Sequence, residues 1–456
     1  MKTIKRLIST VLLLAIFYGV QYGWRAFPII TGYDAKDLCS CVFVGGRSPQ
    51  DVLNNELSSF PLSLASAKIN VGDSSATATV WGLAKRKAIY RKGLGCTLVV
   101  EMTEDELRHQ KIKTFRSKEI QSDSVSLPDG SQLPAVDQAK LKSALDAAFA
   151  ENSSEQALLK RTRAVVVLLN GQLIAERYAQ GFDENSKHIG WSMTKSITNA
   201  LVGILVKQEK LKLDAPAPVD EWKNDERKNI TLSDLMHMSS GLRWEENYSG
   251  PSGVTNMLFK KKNMGQYAAE AQPENKPGEV FQYSSGTTNI ISRIVRQTIG
   301  EEDYYQFPYR ELFTKIGMNG IVLEPDAGGT FVGSSYSFAT ARDFARFGQL
   351  YLNDGVWKGE RILPVGWVAY SSTPANGAHR GEYGAQWWTN AGEKSNPANR
   401  SYPNVPADSF QAEGFEGQFI FVIPSKKLVV VRLGLTKKDD FDMNKLVSEI
   451  IASISG

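Results

Sequence analysis

The sequence predicts an α/β (α+β) fold in which helices flank an antiparallel sheet, beside a mostly helical lobe and a small N-terminal β-rich unit. Two strand pairs carry this prediction. AVVVLLNGQLIAERY (164–178) has an Asn-Gly pair between two apolar runs, which is a strong hairpin signal. GQFIFVIPSKKLVVVRLGL (417–435) turns at a Pro-Ser pair. Helical periodicity at 136–151 and 442–454 surrounds these hairpins, so we expect both ends of the domain to complete one sheet.

The length and composition predict a globular chain of several parts. The 456 residues carry a net charge of +4, and no basic run alternates with aromatic residues, so the sequence does not indicate nucleic-acid binding. Short alternating runs such as ATATVWGL predict strands near the N-terminus. The predicted parts are a signal peptide or membrane anchor (1–25), a β-rich unit (26–102), a linker (103–135) and a main domain (136–456).

The first residues combine a basic end with an apolar run. MKTIKR precedes LISTVLLLAIFYGV (7–20), which is the pattern of a secretory signal, and no clear small-x-small cleavage site follows. Residues 7–24 approach the ~20 residues that span a bilayer. We therefore expect export to the periplasmic or extracellular face, with these residues as a possible inner-membrane anchor. A buried helix of a soluble domain is the alternative.

Three cysteines, Cys39, Cys41 and Cys96, allow one disulfide and one remaining thiol. An exported chain can keep a disulfide, so the residues favour a bridge from Cys39 or Cys41 to Cys96. The CSC spacing is too short for a typical CxxC redox or zinc motif. We expect no metal and no cofactor.

The stretch WSMTKSITNALVGI (191–204) places Ser192 three residues before Lys195 at the start of an apolar run. In a helix beginning at Ser192, the two side chains share one face. A serine hydroxyl needs a base to act as a nucleophile, and a buried lysine can serve. The alternative is a helix-capping serine beside a solvated lysine.

Five stretches resemble the serine β-lactamase and penicillin-binding protein superfamily. The resemblance covers about 140–455, on the side of class C β-lactamase-like esterases, D-aminopeptidases and 6-aminohexanoate-dimer hydrolase. The stretches, in the family's order, are WSMTKS (191–196), TLSDLMHMSSGL (231–242), PGEVFQYSSGTTNI (277–290), ATARDFARFGQLYLNDGVW (339–357) and AEGFEGQFIFVIP (412–424).

The resemblance implies a β-lactamase/transpeptidase-like fold and specific roles. Ser192 would be the nucleophile, Lys195 its base and Tyr283 a proton-transfer partner. The backbone N–H groups of Ser192 and Phe415 would form the oxyanion hole. The resemblance also implies that Cys39 pairs with Cys96.

Two motifs depart from the family pattern. Ser285 replaces the asparagine of Tyr-x-Asn, and Ala412-Glu413-Gly414 replaces Lys-Thr-Gly. The lysine of that motif meets the carboxylate of β-lactams, so its loss favours a short ester or linear amide as substrate. The resemblance places Ser285, Glu413 and Gly414 in the substrate site, where Glu413 would favour a positive charge.

Further residues extend the predicted site. Trp387 and Trp388 are candidates for one wall of the cleft, with Trp387 assigned to the substrate site, and Tyr248 is expected to lie on a loop beside it. Partners other than a small-molecule substrate and the membrane are not indicated, and the oligomeric state stays open.

Two other functions remain open. One is a β-lactamase or penicillin-binding protein; the other is a membrane-anchored sensor without turnover. A Ser-His-Asp enzyme is disfavoured because no G-x-S-x-G elbow accompanies the histidines at 109, 188, 237 and 379.

Overall fold

The computed structural model describes residues 2–112, 136–151, 153–155, 158–437 and 441–454. Most of the predicted linker, residues 113–135, therefore lies outside the described residues. The helices, in chain order, are α1 (Lys2–Phe43), α2 (Pro49–Asn55), α3 (Glu104–Arg108), α4 (Gln138–Phe149), α5 (Thr194–Lys207), α6 (Leu232–Met236), α7 (Gly253–Lys260), α8 (Met264–Ala269), α9 (Ser285–Ile299), α10 (Thr314–Ile316), α11 (Ala341–Leu352), α12 (Trp367–Ser372) and α13 (Met443–Ser453).

The strands are β1 (Ala65–Asn70), β2 (Ser75–Val80), β3 (Leu83–Arg91), β4 (Gly95–Leu98), β5 (Thr162–Leu169), β6 (Gln172–Tyr178), β7 (Lys187–Ile189), β8 (Val322–Leu323), β9 (Ser337–Thr340), β10 (Val356–Trp357), β11 (Glu360–Arg361), β12 (Trp388–Thr389), β13 (Phe410–Gly414), β14 (Gln418–Ile423) and β15 (Leu428–Gly434). They form sheets of four (β1–β4), two (β10–β11), six (β12-β13-β14-β15-β5-β6) and three (β7-β9-β8) strands.

The described residues divide into two units. The first comprises those of Met1–Gln110, Glu245–Asn263 and Asp326–Gly329, and the second comprises the remainder. The expected boundaries had assigned the two short inserted segments to the main domain. Segments that are distant in sequence leave no local signal of the unit in which they fold.

The first unit is built on a helix longer than expected. α1 continues to Phe43 with Pro28 inside it, although the sequence predicted only short strands after residue 25. Its C-terminal part contacts all four strands of the antiparallel β1–β4 sheet. Cys39 of α1 and Cys96 of β4 form a disulfide, with Cα atoms 6.0 Å apart. Cys41 is buried and lies outside the disulfide, and its thiol donates to Asp37 Oδ1 at 3.7 Å.

The second unit contains the predicted antiparallel sheet, so the fold class is confirmed. β5 and β6 form the first hairpin across Asn170 and Gly171, and β14 and β15 form the second. β15 pairs with β5, which joins the two hairpins into one sheet. Helices α4 and α13 contact each other, as expected of two helices from opposite ends of the domain.

The two faces of this sheet contact different helices. One face, with Phe419, Phe421 and Val430, forms an apolar cluster with residues of α4 and α13. The other face contacts α11, where a Cβ on Gly348 would lie 2.8 Å from Ile420 and 2.7 Å from Val429. α11 follows directly after β9, which pairs with β7. β7 ends two residues before Trp191 and so leads the chain to Ser192.

Candidate active site

Ser192 lies in a 3₁₀ turn, Trp191–Met193, that precedes α5. The helix therefore begins at Thr194 rather than at Ser192. Trp191 has a φ of +46°, a left-handed conformation that is an outlier for a bulky residue. Strained backbone of this kind persists only where surrounding contacts enforce it, and it is concentrated at functional sites. The Ser192 side chain is partly exposed.

Lys195 is 1% exposed and donates three hydrogen bonds. Its Nζ lies 3.1 Å from Ser192 Oγ, 3.0 Å from Ser285 Oγ and 3.0 Å from the Ser334 carbonyl oxygen. The structure thus excludes a solvated lysine at this position. A buried amine in contact with a partly exposed hydroxyl is the geometry that proton removal from Ser192 requires.

The loop at Ser334 is itself held by a buried amide. Asn289 Nδ2 donates to Ser334 Oγ (3.1 Å), and the Ser334 N–H donates to Asn289 Oδ1 (3.3 Å). Asn289 lies one turn after Ser285 on α9, so a single helix positions two contacts around Lys195. Ser285 is fully buried, so it holds the lysine instead of lining a surface open to substrate.

Tyr283 adjoins the amine. Lys195 Nζ lies 4.8 Å from the centroid of the Tyr283 ring. The ring stacks on Trp388 with centroids 5.2 Å apart and meets Tyr383 edge-on at 5.8 Å. Aromatic contacts on two sides fix the ring while leaving it partly exposed.

The end of β13 passes beside the turn that carries the serine. A Cβ on Gly414 would lie 2.2 Å from the Gly190 carbonyl oxygen, so only glycine permits this approach. The next residue, Phe415, is 53% exposed, and its ring contacts Trp191 edge-on at 5.9 Å. The backbones at Ser192 and Phe415 thus belong to adjoining segments, as two oxyanion-hole donors must.

Two buried side chains hold the turn between β13 and β14. Gln418 Nε2 donates to the carbonyl oxygens of Phe415 (3.1 Å) and Gly434 (2.8 Å), and its Oε1 accepts from the Gly434 N–H. Arg432, which is fully buried, donates to the Gly417 carbonyl oxygen at 2.6 Å. Burial lowers the pKa of Arg432 to about 9. These contacts fix the loop that presents Phe415.

The structure corrects the expectation that Glu413 meets substrate. Glu413 pairs with Phe419, and directly opposed residues of antiparallel strands share one sheet face. Phe419 belongs to the apolar cluster with α4 and α13, so Glu413 lies on that face. Its carboxylate accepts from Tyr402 at 2.8 Å and Gln411 at 3.1 Å. Alternation places Ala412 on the other face, toward α11.

Of the two tryptophans expected at the wall of the cleft, Trp387 does not lie there, whereas Trp388 adjoins Tyr283. Trp387 is fully buried and contacts Phe347, Tyr351 and Phe410, so it is a core residue that substrate cannot reach. Trp388 is the residue stacked on Tyr283.

Tyr248 belongs to the first unit, is 50% exposed and donates its hydroxyl to Glu246 at 2.9 Å. Its place beside the cleft stays a prediction.

The described contacts of His188 and His237 are with residues other than Ser192, Lys195 and Tyr283. His237 follows α6 and lies against Tyr370, and burial lowers its pKa. His188 is buried on β7 and stacks on Phe182. Among the described residues, no group of three His, Cys, Asp or Glu side chains is arranged to hold a metal ion.

Sequence reasoning did not identify Asn289, Ser334, Gln418 or Arg432. Gln418 lies in the AEGFEGQFIFVIP stretch that carries the resemblance, but its bonds to the turn join backbone groups that the sequence does not mark. Ser334 acts through a backbone carbonyl, which any residue would supply, so its identity carries no signal.

Known proteins resemble this chain in sequence and in fold. A 6-aminohexanoate-dimer hydrolase from Paenarthrobacter ureafaciens is 24% identical over 306 residues, which cover 60% of this chain and 72% of that protein. A solved structure from Bacillus anthracis, a candidate 6-aminohexanoate-dimer hydrolase, matches with a TM-score of 0.52 and 26% identity over 65% of this chain and 79% of its own.

A family VIII carboxylesterase shares the fold, with a TM-score of 0.53 and 14% identity over 70% of this chain and 99% of its own. A family model described as Beta-lactamase matches residues 153–449, well over half of the chain. The chain therefore belongs to the Beta-lactamase family and is a hydrolase of that family.

Proposed function

We propose that the protein is a serine hydrolase that cleaves an ester or a linear amide through an acyl-enzyme. The observation that carries this proposal is the 3.1 Å contact between Lys195 Nζ and Ser192 Oγ, made by a lysine that is 1% exposed. A binding protein without turnover has no need of a nucleophile whose hydroxyl contacts a buried amine.

In the first step, Lys195 acts as the neutral amine: Ser192 Oγ attacks the substrate carbonyl carbon, and the Oγ proton passes to the lone pair of Lys195 Nζ. The C–O or C–N bond then breaks, and the leaving group takes a proton through Tyr283, which adjoins the amine. Water, activated by the same groups, cleaves the acyl-serine bond and restores the Ser192 hydroxyl.

The tetrahedral oxygen formed in each step carries negative charge. Backbone N–H groups of Ser192 and Phe415 are the proposed donors to this oxygen, and removing such a donor typically costs ~3–4 kcal/mol of transition-state stabilisation. The bonds from Gln418 and Arg432 to the Phe415 turn support this role because they hold the loop before substrate arrives.

The substrate class follows from Ala412. Its methyl side chain is on the α11 face of β13, where the β-lactam-active relatives have a carboxylate-binding lysine. Loss of a charge-assisted hydrogen bond costs about 1.5–3 kcal/mol, which is roughly a tenfold to hundredfold handicap for penicillins. The name of the Paenarthrobacter ureafaciens relative indicates a linear amide substrate. Because Glu413 lies on the other face, no preference for a positively charged substrate is proposed.

The test is a comparison of kcat/KM for a p-nitrophenyl ester, a short linear amide and a chromogenic cephalosporin, on wild type and Ser192→Ala. We expect the ester or the amide to exceed the cephalosporin by tenfold or more. A cephalosporin that wins by tenfold would favour a β-lactamase. No turnover of any of the three, with Ser192 unreactive toward a fluorophosphonate, would favour the sensor alternative.

The protein is further proposed to be exported and anchored by α1. This helix contains an 18-residue window with mean hydropathy 1.6, of which 0% is buried. It continues without interruption into the part that contacts β1–β4. No clear small-x-small cleavage site follows the apolar run, which supports retention of the helix as an anchor. Recovery of the full-length chain from cytosol without detergent would contradict the anchor.

A further inference from the structure

The length of the apolar part of α1 determines where along the helix the membrane is expected to end. Its side chains from Ile4 to Val20 are exposed; Leu13, for example, is 67% exposed and Phe17 is 68% exposed. At 1.5 Å per residue, twenty residues of helix span about 30 Å, the thickness of the hydrocarbon core. A span that begins at Ile4 therefore ends near Trp24, which is 83% exposed.

A second exposed apolar group of the first unit lies near the same level. The turn between β2 and β3 presents Trp81 (73% exposed) and Leu83 (61% exposed). Trp81 meets Phe27 of α1 edge-on at 5.5 Å, and Thr31 Oγ1 donates to the Ala84 carbonyl oxygen at 2.6 Å. These contacts place the turn beside α1, about one to two helical turns beyond Trp24.

Basic side chains surround this position. Arg25 is exposed, and Lys260 Nζ donates to its carbonyl oxygen at 2.7 Å. Burial, together with the nearby charges of Arg86, Arg25 and Lys261, lowers the pKa of Lys260. Tryptophan favours the headgroup region at either face of a membrane, and the positive charge that borders Trp24 and Trp81 attracts whatever anionic headgroups that leaflet contains.

We infer that the first unit rests on the lipid surface, with Trp24 and the β2–β3 turn (Trp81–Leu83) inserted among the headgroups of an anionic bilayer. The inference rests on the proposed anchor and adds to it a second contact, made by the folded part of the unit. Because α1 is continuous, no flexible linker separates the span from the β1–β4 sheet. The helix therefore holds the turn at the bilayer surface.

The opposite end of the same sheet provides a matched control. Val71, in the turn between β1 and β2, is as exposed as Trp81, at 76%. That turn lies at the level of Phe43, because Phe43 stacks on Tyr90 and the Tyr90 N–H donates to the Ser74 carbonyl oxygen. Sixteen residues of helix separate Phe27 from Phe43, which is about 24 Å along α1.

The experiment uses the full-length chain in vesicles of three parts phosphatidylcholine to one part phosphatidylglycerol. A Cys41→Ser background retains the Cys39–Cys96 disulfide. Single cysteines at Leu12, Leu83 and Val71 carry an environment-sensitive NBD label, and doxyl-labelled lipid is the quencher. Lys85→Cys, two residues farther along β3, replaces Leu83→Cys if that variant fails to fold.

We expect strong quenching at position 12, clear quenching at position 83 with the quencher near the headgroups, and none at position 71. Quenching at 12 without quenching at 83 or 85 would overturn the surface contact while the anchor stands. Absence of quenching at 12 would contradict the anchor itself. Equal quenching at 71 and 83 would also overturn the inference, because the sheet would then have no preferred end at the membrane.

Discussion

Two regions of the second unit bury side chains of opposite character. Between the sheet and helices α4 and α13, the buried cluster is apolar, with Val165, Phe421 and Leu446 among its members. Around α5 and α9, the buried residues include Lys195 at 1% exposure and Ser285 at 0%. The first region has the composition of an ordinary core. The second keeps polar groups out of water, which costs free energy unless each is hydrogen-bonded.

This difference in buried side chains separates residues that stabilise the fold from residues that carry out the chemistry. The polar groups around Lys195 are bonded to one another and to backbone, so the free-energy cost of burying them is offset locally. An apolar replacement of Lys195 would abolish proton transfer and leave the apolar cluster of the other region intact. An apolar truncation in the other region would do the reverse. The following variants test that contrast.

The largest effect is expected at Ser192. Ser192→Ala should lower kcat/KM for the preferred ester or amide by at least ~10³-fold, and Ser192→Ala/Lys195→Ala should be about equally inactive, because members of one catalytic unit are not additive. Steady-state kinetics of the single and double variants decide this. A double variant that is a further hundredfold slower would mean that Lys195 acts independently of the serine.

Tyr283→Phe removes only a hydroxyl and should lower kcat by ~10²–10⁴-fold, as expected for loss of a general acid–base group. Tyr402→Phe is the matched control, because its hydroxyl bonds Glu413 on the other face of the sheet. We expect kcat of the Tyr402 variant to stay close to wild type, because its hydroxyl contacts Glu413 and not the residues around Ser192. Equal losses of kcat in the Tyr283 and Tyr402 variants would mean that the two faces of the sheet do not differ in their role in catalysis.

Phe421→Ala should act on stability instead. Phe421 is fully buried in the apolar cluster, and truncation of a buried phenylalanine costs about 3–5 kcal/mol. Chemical denaturation should show this loss in the free energy of unfolding, while kcat per folded molecule stays close to wild type. If kcat falls in proportion to stability, the two regions are not separable in the way proposed.

A smaller, mixed effect is expected at Gln418, which connects the sheet to the site. Gln418→Ala leaves buried groups at Phe415 and Gly434 without their partner, a loss of about 1–3 kcal/mol in stability. Because the Phe415 turn loosens, kcat should also fall roughly tenfold, equivalent to 1.4 kcal/mol, with KM little changed. Loss of stability with unaltered kcat would show that the turn does not need Gln418 to present its N–H.

The smallest effect concerns pH. Burial lowers the pKa of His237, so the folded state binds its proton less readily than the unfolded chain, whose histidine titrates near 6.5. Stability is therefore retained above pH ~6.5 and falls as the solution is acidified toward pH 5. His237→Gln should flatten the decline in Tm over this range. Parallel Tm curves for wild type and His237→Gln would contradict this.

Much of the second unit could be predicted because its signals are local. The Asn170-Gly171 turn, the alternation around it and the S-x-x-K spacing each act within a few residues, and each appears in the structure where expected. Contacts made across the fold could not be predicted. The bonds from Asn289 to Ser334 and from Arg432 to Gly417 join distant segments.

Two errors had different causes. Strand alternation could have shown that Ala412 and Glu413 face opposite sides, but not which side carries the serine. For α1, the strand signals that follow residue 25 suggested an end there, whereas contacts with the β1–β4 sheet extend the helix to Phe43.

The most direct test of the central claim is intact-protein mass spectrometry after treatment with a fluorophosphonate, followed by peptide mapping. If Ser192 is the nucleophile, we expect a single adduct on Ser192 in the wild type and none in Ser192→Ala. Labelling of Lys195→Ala should be strongly slowed, because the buried amine activates the hydroxyl. An adduct on another residue, or labelling of Ser192 at an unchanged rate without Lys195, would contradict this expectation.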